Sequence, residues 1–163
     1  MEVMKKSALL LSLLIPLTAC KEKSSGSSES SAQAPAASGI PEKPPVEGEI
    51  VMTAQIEEIP GAFPANDLYN YAYVMKYKVL KVIQGTYADP DILIGQYNPR
   101  IARADVKDEQ DSKVGGNVKS FQVGDVHYLV LSPLDGLWTG SVEDDYFKDK
   151  RPRYWALWTD KAQ

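Results

Sequence analysis

The chain has 163 residues, with 18 Lys and Arg against 22 Asp and Glu, a net charge of -4, one histidine and one cysteine. A single cysteine excludes an internal disulfide, a Cys-x-x-Cys redox pair and a zinc knuckle. The acidic balance gives no general attraction to nucleic acid or to anionic lipid.

The first stretch has the layout of an export signal. Lys5 and Lys6 precede an apolar run from Ala8 to Leu17, broken only by Ser12 and Pro16. A charged start and a short apolar middle mark a secretory signal. At roughly ten residues the run is too short to span a bilayer, which needs about twenty. It exits through Leu17-Thr18-Ala19-Cys20, which resembles the lipobox of bacterial lipoproteins: an aliphatic residue, two small residues and a cysteine. The resemblance implies a lipoprotein signal peptide over residues 1–19, cleavage before Cys20 and lipidation of its sulfur. At about 0.8 kcal/mol per buried methylene, two or three acyl chains hold a protein on a membrane essentially for good. Gram-negative lipoproteins retained at the inner membrane tend to carry Asp after the cysteine. Lys21 stands there in this chain, which points to the outer membrane, facing the periplasm.

From Lys21 to Gly48 the composition is Ser, Ala, Pro, Gly, Glu and Lys with almost no large apolar residue. Such a segment cannot offset its ordering entropy by burial, so residues 20–48 are expected to be a lipidated cysteine and a disordered tether. As a flexible coil the tether reaches roughly 30 Å. The folded domain is then 49–163, about 115 residues, enough for one core held by packing alone.

Within it, Ile50, Met52, Ala54 and Ile56 alternate with Val51, Thr53, Gln55 and Glu57, the period of a strand with one buried face. Pro60-Gly61 ends that strand, and Phe63-Pro64-Ala65-Asn66-Asp67 reads as a loop. The longest regular run puts Tyr71, Tyr73, Met75, Tyr77 and Val79 on one face, with Lys76 and Lys78 on the other. Beyond Val79 the apolar Leu80, Val82 and Ile83 break the alternation, which a bulge or a doubly covered strand end would explain. A third strand covers Ile92 to Tyr97. Residues Arg100 to Gln122 include a helical turn or extended piece at Ile101 to Val106 and a turn signal at Gly115-Gly116-Asn117. Long loops of this kind are often functional. A fourth strand, Val126 to Leu131, is apolar on both faces, as central strands are. Ser141 to Phe147 reads as one short helix with Ser141 as its cap and acids in its first turn. A last strand spans Tyr154 to Thr159. The expectation is an all-β domain with one minor helix, built as a small five-stranded antiparallel barrel.

Two segments carry a resemblance. Tyr77-Lys78-Val79-Leu80-Lys81-Val82-Ile83-Gln84-Gly85, and then Phe121-Gln122-Val123-Gly124-Asp125-Val126-His127-Tyr128-Leu129-Val130-Leu131, resemble the netrin or tissue-inhibitor-like variant of the oligonucleotide/oligosaccharide-binding (OB) barrel. That family has a second strand ending in a lysine-glycine-type turn and a phenylalanine-x-x-glycine step into a Tyr-Leu-rich fourth strand. The resemblance implies an OB-like barrel and an aptitude for binding. Animal members carry a cysteine framework, including an N-terminal cysteine that contacts the protease metal. Here Cys20 lies well before the domain and is expected to be lipidated, so protease inhibition is not implied.

Chemistry has few candidates. With one histidine, His127, and no free cysteine, neither zinc hydrolysis nor Cys-His or Ser-His catalysis has its usual residues. The acidic groups Asp108, Glu109, Asp111 and Glu143, Asp144, Asp145, Asp149 lack EF-hand spacing and read as solvated faces, with no metal and no cofactor expected. Lys148, Lys150, Arg151 and Arg153 abut Tyr154, Trp155 and Trp158, and cations beside stacking aromatics suit an anionic glycan or polymer. The ligand-binding candidates are therefore Trp138, Tyr154, Trp155, Trp158, Arg151 and Arg153. Adjacent strand positions cannot all point inward, which places Trp138 and one of Trp155 or Trp158 at a surface. The expected function is a non-enzymatic binding or assembly module of the cell envelope, membrane-attached through its lipid, with an envelope protein as partner. Polysaccharide or anionic polymer binding is the alternative. Nucleic acid is not expected as a partner, and no pattern specifies an oligomeric state.

Overall fold

The computed structural model describes residues 46–65, 69–110 and 112–162. The export signal, Cys20 and nearly all of the tether lie outside the described residues. Five main strands form where the alternation placed them: β1 (Ile50–Glu58), β2 (Tyr71–Gln84), β3 (Asp91–Tyr97), β5 (Val126–Pro133) and β7 (Arg153–Lys161). Two short ones are added, β4 (Gly115–Gly116) and β6 (Ser141–Glu143).

The main strands close into a ring in the order β1-β2-β3-β7-β5 and back to β1. All neighbours are antiparallel except β3 and β7, which run parallel through Leu93↔Arg153 and Gly95↔Trp155. The barrel is the expected five-stranded one, antiparallel at every seam but this. A closed ring with an odd number of strands cannot alternate direction all the way round, so at least one pair must be parallel. The result is an OB-like barrel.

Its interior is filled by one parity of each strand: Ile50, Met52, Ala54 and Ile56 of β1, Tyr71 to Tyr77 by alternate residues of β2, Ile92 and Ile94, Leu129 and Leu131, and Ala156. Burying each large aliphatic side chain contributes roughly 1.5–3 kcal/mol. Past Val79 the irregularity is a pair of bulges. Opposite β1, Val79 pairs with Ala54 and Lys81 with Thr53, leaving Leu80 out, and Ile83 is left out in the same way between Val82 and Gln84. The extra residue lets Val79 and Val82, three apart, both pack on the core. Leu80 and Ile83 are displaced outward and exposed.

Strands apolar on both faces have their outer faces covered. Val106 and Val114 of the 98–125 excursion, with Leu134, pack over Ala72, Tyr97 and Trp155. Val46, three residues before the expected domain start, packs with Val51, Tyr128 and Val130. The excursion also sends Val118 and Phe121 into the main core. Its single 3₁₀ turn, Arg103–Asp105, carries a buried arginine whose Nη2 donates to the carbonyls of Asn98 (2.9 Å) and Ile101 (2.8 Å) and whose guanidinium lies over the Phe121 ring. Burial lowers the Arg103 pKa to about 10. Gly115-Gly116 is not a turn: it lies against β7, where a Cβ on Gly115 would come within 2.5 Å of the Trp158 ring, so only glycine permits the approach.

The helix expected over Ser141 to Phe147 is absent, and Ser141–Glu143 is strand β6, parallel to Tyr71–Tyr73 of β2. The physical reason lies in β1, whose pairing with β2 ends at Glu58↔Lys76. The first residues of β2 are left with an open edge whose backbone groups need partners, and β6 supplies them.

Candidate groove between the two loop connections

In OB barrels, ligands are bound by the face of the second and third strands and by the loops after the first strand and before the last. The corresponding connections here, 59–70 and 134–152, meet each other. Tyr69 Oη donates to Glu143 (2.8 Å), Tyr146 Oη donates to Glu58, and β6 docks on β2 between them. Two depressions adjoin at the Tyr69–Glu143 bond, which contributes one partner to each. The smaller, about 200 Å³, is lined by Pro60, Ala62, Pro64, Tyr73, Glu143, Asp145 and Tyr146. The larger, about 540 Å³, is lined by Tyr69, Asn70, Glu109, Gln110, Trp138 and the segment Thr139-Gly140-Ser141.

Aromatic rings run beneath the groove. Tyr69, Tyr71, Tyr73 and Phe63 form a chain of edge contacts with centroids 6.1, 6.4 and 5.2 Å apart, an arrangement favoured by the ring quadrupoles. Tyr71 Oη ties the first loop down by donating to the Pro64 carbonyl (2.8 Å). Asn98 holds the other side: fully buried, with a φ of 31°, it accepts from the Tyr71 backbone N–H at 3.1 Å and donates to Asn70 Oδ1 at 2.8 Å. Asn70 in turn donates to Glu109 (2.6 Å). Asparagine is among the few residues that tolerate that backbone region.

The walls are acidic and partly apolar. Glu109, Glu143 and Asp145 line the two depressions, and among the described residues no Lys or Arg does. Tyr69 and Tyr146, also in the lining, are 46% and 55% exposed, whereas the exposed Leu137 and Val142 of the second connection border neighbouring depressions. The hydrogen bonds to Glu143 and Glu58 raise the phenol pKa values of Tyr69 and Tyr146, so both hydroxyls stay protonated and able to donate at neutral pH.

The six ligand-binding candidates do not gather on one face. Trp138 borders the larger depression, its N–H donating to the Ser141 carbonyl (3.0 Å) and its ring packed against Tyr97 and Trp155. Trp155 is 2% exposed beneath the excursion, so its faces are taken by packing. Trp158 packs with Val51, Tyr128 and Val130 on the other covered surface, and Gly115 lies against its ring. Tyr154 contacts Tyr87 edge-on beside the main core. Arg151 pairs with Asp91 and with Asp149 (2.8 Å), and Arg153 with Asp144 (2.7 Å) and Asp149 (3.1 Å). The Arg151 hydrogen bond holds the Asp149 carboxyl down to about 2. The acidic run 143–149 thus divides: Asp144 and Asp149 neutralise the arginines, while Glu143 and Asp145 face the groove.

His127 is 1% exposed and belongs to a buried polar string. Its Nδ1 lies 3.3 Å from Tyr77 Oη, which accepts from Gln96 Nε2 (3.1 Å), and the Gln96 carbonyl accepts from Thr159 Oγ1 (3.2 Å). Burial pushes the His127 pKa down to about 4, so the ring is neutral at pH 7. A third pocket, about 460 Å³, brings Ser120, Asp125 and His127 into one lining. They are not wired as a triad: Asp125 accepts the Gln122 backbone N–H (2.9 Å), and the His127 Nδ1 contact is Tyr77. Among the described residues no group of three or more His, Cys, Asp or Glu side chains is placed to share a metal ion.

Sequence reasoning missed Glu58, Tyr69, Asn98 and Tyr146. The one available signal was the clustering of Pro, Phe and Tyr in 59–70 opposite Tyr146-Phe147. No family model matches this chain, and comparison with curated proteins and with solved structures gives no match.

Proposed function

We propose that this chain is a lipid-anchored bacterial lipoprotein, attached through Cys20, probing the periplasm from the outer membrane with a netrin-like OB barrel that binds an envelope protein and catalyses nothing. The observation that carries the binding role is the placing of two half-exposed tyrosines, Tyr69 and Tyr146, in the lining of a groove at the ligand-binding position of OB barrels. Exposed tyrosines are typical anchors of protein interfaces. Binding of an anionic glycan or polymer receives less support, because Arg151 and Arg153 are matched by aspartates and Trp155 and Trp158 are packed.

The test is photo-crosslinking in intact cells from a photoreactive residue at position 146, with position 123 as control. Val123 is 63% exposed and lies outside both connections. A discrete crosslinked protein from 146 and none from 123 is expected. Equal crosslinking from both positions, or none from 146, contradicts the reading. Cys20→Ser should release the protein from the membrane fraction.

A further inference from the structure

Resting on that reading of the groove, we propose that its occupant is a cationic protein segment whose arginine or lysine side chains sit between the groove tyrosines and its carboxylates. Four carboxylates, Glu58, Glu109, Glu143 and Asp145, lie in or beside the groove, and among the described residues none has a Lys or Arg within salt-bridge distance. Nearby carboxylates behave differently: Glu57, Asp91, Asp144 and Asp149 are each paired with a cation. Lys148 donates to the Asp145 backbone carbonyl and forms no ion pair with its carboxylate.

Three of the four carboxylates are held by neutral donors: Glu58 by Tyr146, Glu143 by Tyr69 and Glu109 by Asn70. Such bonds fix the oxygens in place and leave the negative charge uncompensated. A further acceptor, the Gln110 side-chain oxygen, borders the larger depression buried and without a donor among the described residues. The site therefore offers acceptors, negative charge and aromatic faces. A guanidinium or ammonium answers all three, by charge-assisted hydrogen bonds and by stacking on tyrosine. An anionic ligand would meet repulsion from every charged lining residue.

The direct test titrates the full-length protein into two fluorescein-labelled peptides, one with three arginines spaced by glycine and serine, the other with glutamates in their place. Saturable binding of the arginine peptide is expected, weakened by added salt and at least tenfold weaker in the E143Q/D145N double variant. Asp145 is exposed and Glu143 partly so, and circular dichroism checks that the variant is folded. Arginine and glutamate peptides binding alike, or unchanged binding in the double variant, would overturn the proposal. Failure of the peptide preference with crosslinking from 146 retained overturns the charge assignment alone. Loss of that crosslink overturns the binding reading beneath it.

Discussion

Tyrosine has two occupations in this molecule, and they separate the barrel from the groove. Tyr71, Tyr77 and Tyr97 are fully buried, and Tyr77 hydrogen bonds only within the barrel, to Gln96 and His127. Burial raises the Tyr77 pKa far beyond the ordinary phenol range. Tyr69 and Tyr146 are about half exposed and spend their hydroxyls on surface carboxylates. The first set fills volume, and the second presents itself to solvent. An aromatic residue thus indicates binding only when its neighbours leave a face uncovered, a condition the three tryptophans largely fail and these two tyrosines meet.

Substitutions should separate the two regions, and the largest effect falls at Trp155. Trp155→Ala removes a buried side chain and should cost about 3–5 kcal/mol in denaturant unfolding. If instead it left stability intact and weakened only ligand binding, the division would be wrong at its clearest point. Acid comes next. The unfolded state takes up a proton on His127 near pH 6.5 and the folded state only near 4. Stability should therefore be full above pH 6.5 and fall by on the order of 3 kcal/mol as pH drops toward 4. The decline should shrink in His127→Gln. An equal decline in that variant would remove the buried histidine as its cause.

Gly115→Ala should cost about 1–3 kcal/mol through overpacking against Trp158, seen as a lower unfolding midpoint. Smallest of all, Tyr146→Phe breaks an exposed hydrogen bond and should change stability by no more than about 0.5 kcal/mol, while still weakening partner crosslinking from a probe placed at position 69. A large stability loss there would mean the groove tyrosines are structural after all.

Much of the barrel was legible in the sequence because its strands alternate. Ile50 to Ile56 and Tyr71 to Val79 declare their inward faces directly, and the irregularity after Val79 is resolved by the bulges at Leu80 and Ile83. What local pattern could not carry were facts set by distant pairings. The parallel β3–β7 seam follows from counting strands round a ring. The pairing of β6 with β2 follows from where β1 stops, so the acids after Ser141 looked like a helix start when read alone. The candidate site suffered most. Arg151 and Arg153 read as a free basic cluster beside free acids, although Asp91, Asp144 and Asp149 fold back onto them. The groove joins residues such as Glu58 and Tyr146, whose adjacency arises only on closure.

The sharpest examination of the division is hydroxyl-radical footprinting of the protein in intact envelopes against the purified full-length chain. If the groove is where a partner sits, Tyr69, Trp138 and Tyr146 should be protected in the envelope, while exposed Leu80, Ile83 and Val123 react equally in both samples. Unchanged reactivity at the groove tyrosines, or protection centred on the β2 bulges instead, would contradict it.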